Sequence, residues 1–152
     1  MKHLLALVFV LFAAACAPAV PLVVVSPSSG AAGELKPATD VMDDEVVVPR
    51  DGAGAIVIAR PKVWLGKRCT FDIALDDRHV AALRPGEQLT LYADPGERIV
   101  DVSVRDEGGC KPATAQVPLD VISHTTSRIQ LDSDRYYDLK VEVNSLGGSL
   151  PK

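Results

Sequence analysis

The sequence has few of the residues that build catalytic or metal centres. Its 152 residues include three histidines, three cysteines and one tryptophan, and aromatic side chains make up 5%. No Cys-x-x-Cys pair supplies zinc ligands, no Gly-x-Ser-x-Gly elbow presents a nucleophile, and no glycine-rich loop ends in Lys-Ser or Lys-Thr. His79 lies at a hairpin and His124 in a polar segment, where a single histidine is typical of the surface. The sequence therefore predicts a protein that is not an enzyme and has no metal site or cofactor.

An excess of positive charge is also missing. The chain has 16 lysines and arginines against 20 aspartates and glutamates, which gives a net charge of −4, and its pI is about 5.3. Domains that bind nucleic acid carry a basic stripe or patch and a high pI. The charge balance therefore excludes nucleic acid as the expected partner, and the length is that of one domain.

The N-terminal apolar run is too short to cross a membrane. It extends from Leu4 to Ala15, follows the cation Lys2 and ends in three alanines. A transmembrane helix needs roughly 20 apolar residues. A positive start, a short apolar stretch and small residues before the cleavage point are instead typical of a secretory signal peptide. We therefore predict that residues 1–15 are a signal peptide and that the chain is exported.

Cys16 directly follows this run. A cysteine after small residues at the end of a signal peptide resembles the bacterial lipobox, although Ala13 occupies the position where leucine is usual. The resemblance implies that Cys16 is acylated on its sulfur and becomes the mature N-terminus. Ala17 as the second mature residue resembles the sorting pattern for the outer membrane. The alternative is cleavage after Ala19 at the Ala-Pro-Ala sequence, which would remove Cys16 and release a soluble periplasmic protein.

The odd number of cysteines favours the lipid anchor. In an oxidising compartment two thiols pair, and a third needs another role. A disulfide between Cys69 and Cys110 would close a long loop and contribute roughly 4 kcal/mol to stability. A redox or metal-binding pair is the alternative, but neither Cys-x-x-Cys spacing nor a nearby histidine ligand favours it. We predict the Cys69–Cys110 disulfide, which leaves Cys16 for lipidation.

Residues 16–54 have the composition of a tether. Prolines and glycines recur through the segment, and an acidic cluster lies at 40–45. Such sequences favour an extended, flexible chain, and the acidic cluster lacks the glycine and the spaced glutamate of a calcium-binding loop. Two short β-branched runs, 22–25 and 46–48, leave open the addition of an edge strand to the domain.

From residue 55 onward, apolar and polar residues alternate with a period of two. A strand places successive side chains on opposite faces, and turn dipeptides separate the runs. We therefore predict an all-β fold over 55–144, a small antiparallel β-sandwich of about seven or eight strands, followed by a disordered tail at 145–152. The segments 123–127 and 132–134 are interpreted as a polar connection and a polar turn. The predicted inward positions are Ile56, Ile58, Cys69, Phe71, Ile73, Leu75, Leu89, Leu91, Ala93, Val100, Val102, Val104, Ala113, Ala115, Val117, Leu119, Val121, Tyr137, Leu139, Val141 and Val143.

The stretch from Phe71 to Val104 carries a family resemblance. It reads FDIALDDRHVAALRPGEQLTLYADPGERIVDVSV, a series of short strands separated by Asp76-Asp77 and by two later Pro-Gly pairs. This order resembles the PEGA and DUF2846-type modules of bacterial envelope lipoproteins, with Asp77 in place of their usual glycine. The resemblance implies a small β-sandwich that is often lipid-anchored, and it brings no catalytic residues to this chain.

Trp64 lies outside the strand pattern, between the cations Lys62 and Lys67. An exposed aromatic side chain there would suit a contact with a partner protein, a glycan or a lipid headgroup. The alternative is that Trp64 covers one end of the sandwich core.

These patterns together predict a non-catalytic binding or structural module in the cell envelope. The expected location is the periplasmic face of the outer membrane, through the lipid on Cys16, with an envelope protein or the cell wall as partner. The alternative function is a lipoprotein subunit of a secretion or surface-assembly apparatus.

Overall fold

The computed structural model describes residues 34–62, 68–107, 109–133 and 139–146. Two five-stranded sheets make up the fold, so the predicted all-β sandwich is confirmed. In chain order the strands are β1 (Lys36–Pro37), β2 (Asp40–Val41), β3 (Gly54–Arg60), β4 (Phe71–Leu75), β5 (Arg78–Leu83), β6 (Glu87–Ala93), β7 (Gly96–Val104), β8 (Ala113–Val121), β9 (Thr126–Ser133) and β10 (Leu139–Leu146). The first sheet has the order β1-β6-β3-β9-β10, and the second has the order β2-β5-β4-β7-β8.

Two strand pairs of the first sheet depart from the antiparallel prediction. β3 and β9 run parallel, with Ile58 beside Ile129, and the short β1 runs parallel to β6. The chain builds four strands in the second sheet and β6 in the first between β3 and β9. Such a long connection is what a parallel neighbour requires, because a tight turn can only join antiparallel strands.

The core lies between the two sheets and is built from alternate residues of each strand. Ile56 and Ile58 of β3 and Phe71 and Ile73 of β4 are almost completely buried. The intervening Asp72 is half-buried on the outer face of its sheet. The inward positions that the period of two predicts are therefore confirmed for these strands.

β9 contradicts the interpretation of its two ends as polar connections. It extends from Thr126 to Ser133 and pairs with both β3 and β10. Its central residues Ile129 and Leu131 are fully buried, while Arg128 is exposed. Because only these two inward residues are apolar, the alternation in this strand is too short to stand out from the polar sequence on either side.

Residues 36–47, which we call the strap, cross the edge of the sandwich. β1 adds to the first sheet beside β6 and β2 adds to the second sheet beside β5, so the strap connects the two sheets. A 3₁₀ turn, Asp44–Val47, follows, and its Val46 is only 6% exposed. The sequence assigns 16–54 to the tether, but apolar contacts with the core draw the strap into the domain. The folded domain therefore begins at Lys36 rather than at residue 55.

The two β-branched runs of the predicted tether and the C-terminal boundary of the domain have different outcomes. The β-branched run 46–48 contributes to the 3₁₀ turn instead of an edge strand, and the run 22–25 lies outside the described residues. β10 extends to Leu146, past the boundary predicted at 144.

The turn between β4 and β5 places two aspartates in the left-handed backbone region. Asp76 has a φ of 50° and Asp77 a φ of 64°. Positive φ at both central residues is typical of a tight type I′ hairpin, which usually selects glycine or asparagine. Asp76 Oδ1 accepts a hydrogen bond from Ile99 N at 2.9 Å, and its Oδ2 lies 3.1 Å from Arg98. These bonds offset the free-energy cost of the left-handed backbone conformation at Asp76.

Candidate functional site

The predicted disulfide forms at one end of the sandwich. Cys69 and Cys110 are bonded, with 5.7 Å between their Cα atoms, and they are 4% and 5% exposed. Cys69 precedes β4 and Cys110 precedes β8, so the bond joins the starts of two strands that lie on either side of β7. The bond is therefore a structural staple of the second sheet. Its burial argues against the redox alternative.

The main polar group at this end is a buried arginine, which was not predicted from the sequence. Arg60, the last residue of β3, is 1% exposed. Its Nη1 donates hydrogen bonds to Cys69 O at 2.6 Å and to Leu83 O at 2.9 Å. The guanidinium carbon lies 3.7 Å from the centroid of the Phe71 ring, an attractive cation–π geometry. A signal was present, because Arg60 continues the inward register of Ile56 and Ile58.

Burial acts on the charge of this arginine. It lowers the pKa of Arg60 to about 10, although the negative charges of Asp132 and Glu87 oppose the shift. Arg60 is still protonated at neutral pH, so a full positive charge lies inside the end of the core. Such a charge is tolerated only where hydrogen bonds and a counter-charge compensate its desolvation.

Glu87 connects this buried cation to the strap. It begins β6 as the register partner of Arg60 and is 8% exposed. Its Oε1 accepts a hydrogen bond from Thr39 Oγ1 at 2.8 Å, and its Oε2 accepts one from Arg84 N at 2.9 Å. The carboxylate therefore fixes both the strap and the β5–β6 turn. Arg60 and Glu87 are both almost completely buried, and their hydrogen bonds hold the start of β4, the end of β5 and the strap in position.

Four exposed cations surround this buried cluster at the surface. Lys36 N donates to Gly86 O at 3.0 Å, and Gly86 N donates to Arg60 O at 2.8 Å. A Cβ on Gly86 would lie 2.6 Å from Cγ of Lys62, so the stem of Lys62 lies across this glycine. Arg84 is in the same turn. Arg68 directly precedes Cys69. We call the surface that Lys36, Lys62, Arg68 and Arg84 share the basic end.

The four cations of the basic end form no ion pair with another described residue. Within the described parts of the chain, the ion pairs involve other side chains, namely Arg50, Arg78, His79, Arg98 and Arg105. Exposed acids at this end include Glu34 and two residues of the β7–β8 loop, Asp106 and Glu107. The buried Glu87 is engaged inside. Four exposed cations therefore face three exposed acids at this end, a small positive excess on an otherwise acidic protein.

The opposite end of the sandwich holds a cavity of about 150 Å³ with three arginines on its wall. Each is already paired: Arg50 lies 3.8 Å from Asp94, Arg78 lies 2.6 Å from Asp43, and Arg98 lies 3.1 Å from Asp76. An anionic ligand would have to displace these carboxylates. We call this the acidic end, because carboxylates outnumber arginines there: Asp43, Asp44, Glu45, Asp51, Asp76, Asp77, Asp94, Glu97 and Asp120.

A further charged group lies on the outer face of the second sheet. Asp72 accepts hydrogen bonds from Arg105 Nε at 2.8 Å and from its Nη2 at 2.6 Å, and His79 Nε2 lies 3.2 Å from the same carboxylate. Partial burial raises the pKa of Asp72, but the hydrogen bonds and charge of Arg105, with His79, outweigh it and lower the pKa overall. The carboxylate is committed to Arg105, which makes this group a cross-strand clamp.

The remaining predicted site residues lie outside the described residues. Cys16 and Trp64 both belong to the undescribed segments, so lipidation at Cys16 and a partner contact at Trp64 stay predictions. Among the described residues, no group of histidine, cysteine and acidic side chains is placed to hold a metal ion. In the same part of the chain, no helix has the length and hydrophobicity to span a membrane.

Comparison with known proteins adds no relative. No family model matches the chain, and neither a curated protein nor a solved structure matches it. The resemblance of residues 71–104 to the PEGA-type modules therefore stays a prediction.

Proposed function

We propose that this protein is a bacterial lipoprotein, anchored by Cys16 at the periplasmic face of the outer membrane, with a non-catalytic β-sandwich as a binding or structural module. The observation that carries the proposal is the disulfide between Cys69 and Cys110. It uses two of the three cysteines and leaves Cys16, directly after the apolar run, with another role. Disulfides persist in exported proteins, which agrees with the predicted signal peptide.

The packing of the described residues supports a binding or structural module. Arg60 and Glu87, the most buried charged groups, are engaged in hydrogen bonds. The arginines at the acidic-end cavity are paired with carboxylates. An enzyme needs polar groups that are free to contact the substrate at a common point. These groups instead hold loops in place through their hydrogen bonds and ion pairs.

Processing of the precursor tests the anchor. Globomycin blocks the lipoprotein signal peptidase, so it should cause unprocessed precursor to accumulate in wild-type cells. Cys16→Ser should abolish acylation and move the protein out of the membrane fraction. The matched control is Ala19→Leu, which spoils the rival cleavage site and should leave processing unchanged. Processing that ignores globomycin and Cys16→Ser but stops in Ala19→Leu would overturn the proposal in favour of a soluble periplasmic protein.

A second candidate is a lipoprotein subunit of a secretion or surface-assembly apparatus. The tether between Cys16 and the strap favours it, because about 18 residues would let the domain bind a partner complex that lies close to its own anchor. Affinity purification from detergent-solubilised membranes separates the two candidates. A stoichiometric protein complex supports the subunit, whereas recovery of the protein alone or with cell-wall fragments supports the binding module.

A further inference from the structure

We propose that the basic end of the sandwich rests on an anionic phospholipid surface and so fixes the orientation of the domain on its membrane. The inference rests on the proposed function, since the lipid on Cys16 brings the domain to the membrane. It goes beyond that function by assigning a second membrane contact to Lys36, Lys62, Arg68 and Arg84.

The direction of the chain places the tether at the basic end. β1 runs parallel to β6, and Lys36 is the register partner of Glu87 at the start of β6. Lys36 therefore lies at the end of the sandwich where the β5–β6 turn is found, beside Gly86. A chain that rises from the membrane through residues 16–34 meets the domain at this end. The end of the domain where the tether enters is thus the end that carries Lys36, Lys62, Arg68 and Arg84.

The charge distribution favours the same orientation from both ends. The basic end offers the four cations, and the acidic end carries an excess of exposed carboxylates around Asp76, Asp94 and Asp120. An anionic surface attracts the first and repels the second. The whole chain has a net charge of −4. If its charges were spread evenly over the surface, an anionic membrane would repel the protein. The separation of charge along the strands is therefore what makes the contact possible.

The tether is short enough for this attraction to act. About 18 residues separate Cys16 from Glu34, which span at most about 60 Å when fully extended and about 25 Å as a flexible coil. Attraction to the headgroups falls off over roughly 8 Å at physiological salt. The anchor therefore holds the basic end at a distance from which small fluctuations bring it into the field of the headgroups.

Vesicle binding by the full chain with Cys16→Ser tests the contact without acyl chains. Co-sedimentation would compare vesicles of phosphatidylcholine alone with vesicles that also contain phosphatidylglycerol. The ratio of the two affinities is the readout. It is compared between variants of the same Cys16→Ser chain, so that the cationic start of any retained signal peptide contributes equally to every variant. We expect a preference for the anionic vesicles that disappears in 1 M salt, where screening acts within about 3 Å.

Three neutral substitutions locate the contact. Lys62→Gln and Arg84→Gln should each lower the anionic preference about fivefold, the effect of one cation at a charged lipid surface. Arg128→Gln is the matched control, because Arg128 is an exposed cation in the middle of β9 and should leave the preference unchanged. Equal binding to both vesicles, or an equal loss in Arg128→Gln, would overturn the inference.

The two proposals fail separately. If the Cys16→Ser chain shows no anionic preference while globomycin still blocks processing of the wild type, the membrane contact is wrong and the lipoprotein stands. If the preference is present but the wild type is insensitive to globomycin, the lipid anchor is wrong and the basic end still binds anionic lipid.

Discussion

Arg60 donates a hydrogen bond of 2.6 Å to the carbonyl oxygen of Cys69, so a buried cation at the end of one sheet is connected to the disulfide of the other. The same nitrogen also donates to Leu83 O. One side chain thus holds the end of β3 against the start of β4 and the end of β5. The basic end is built on this arrangement, because Arg68 directly precedes Cys69, Arg84 directly follows Leu83 and Lys62 is two residues after Arg60.

Arg60→Met should lower the free energy of unfolding by about 3 kcal/mol. It leaves the buried carboxylate of Glu87 without its counter-charge, and it removes the hydrogen-bond donor from two carbonyl groups. Urea denaturation followed by circular dichroism measures the loss. Glu87→Gln in the Arg60→Met background should cost less than it does in the wild type, with a coupling of about 1 kcal/mol or more between the two sites. Additive effects would show that Glu87 does not compensate the charge of Arg60.

Removal of the disulfide in Cys69→Ala/Cys110→Ala should lower the free energy of unfolding by roughly 4 kcal/mol, since the unfolded chain regains the freedom of a long loop. Dithiothreitol should destabilise the wild type similarly. Cys16→Ser is the matched control, because it removes a cysteine that the disulfide does not use. If Cys16→Ser lost as much stability as the double variant, or if reductant still destabilised the double variant, the pairing would be wrong.

The β4–β5 turn offers a paired test of backbone strain. Asp77→Gly should stabilise the protein by about 0.5 kcal/mol, since glycine adopts a positive φ without the penalty of a Cβ. Asp76→Gly relieves the same strain but loses the bonds to Ile99 N and Arg98, worth about 1 kcal/mol. The midpoint temperature of thermal unfolding should therefore be higher in Asp77→Gly than in the wild type and lower in Asp76→Gly. The reverse order would mean that Asp76 contributes nothing through its side chain.

Asp72 makes the free energy of unfolding depend on pH in the acidic range. Its pKa is lower in the folded state than its ordinary value, mainly through Arg105 opposing the effect of burial. A carboxyl of this kind stabilises the fold above its unfolded pKa of about 3.9, and the contribution is lost as the pH falls through the folded pKa. Asp72→Asn should cost about 1 kcal/mol at pH 7, a modest value because the pair is partly exposed, and almost nothing at pH 2.

The matched control for this pH profile is Asp106→Asn, which removes an exposed acid from the β7–β8 loop. It should leave the free energy of unfolding unchanged at both pH values. A difference between Asp72→Asn and the wild type that stays constant from pH 7 to pH 2 would mean that packing, and not charge, explains the loss.

Strands with a full alternation were predictable from the sequence, and those without it were not. β4 places apolar residues at every inward position, and β7 does so from Val100 to Val104, so Phe71, Ile73, Val100 and Val102 were found. β9 has only two such residues. The strap was missed for another reason, because its two-residue strands exist only through their pairing with β5 and β6, and pairing across a long sequence separation leaves no local signal.

The candidate site also contains one feature that the sequence predicts and others that it does not. The disulfide follows from counting cysteines in a chain that is predicted to be exported, so it was predictable. Arg60 was harder to predict. It continues the inward register of Ile56 and Ile58, but a charged residue at the end of a strand ordinarily belongs to the surface. Only its contacts with Cys69, Leu83 and Phe71 explain its burial. The basic end depends in turn on the topology that brings the strap to the β5–β6 turn.

The N-terminus of the mature protein tests the central claim most directly. Top-down mass spectrometry of the protein purified from membranes would identify its first residue and any attached lipid. The account predicts a chain that begins at Cys16 and carries the mass of acyl chains. A chain that begins at Val20 with no added mass, recovered from the periplasm, would contradict it.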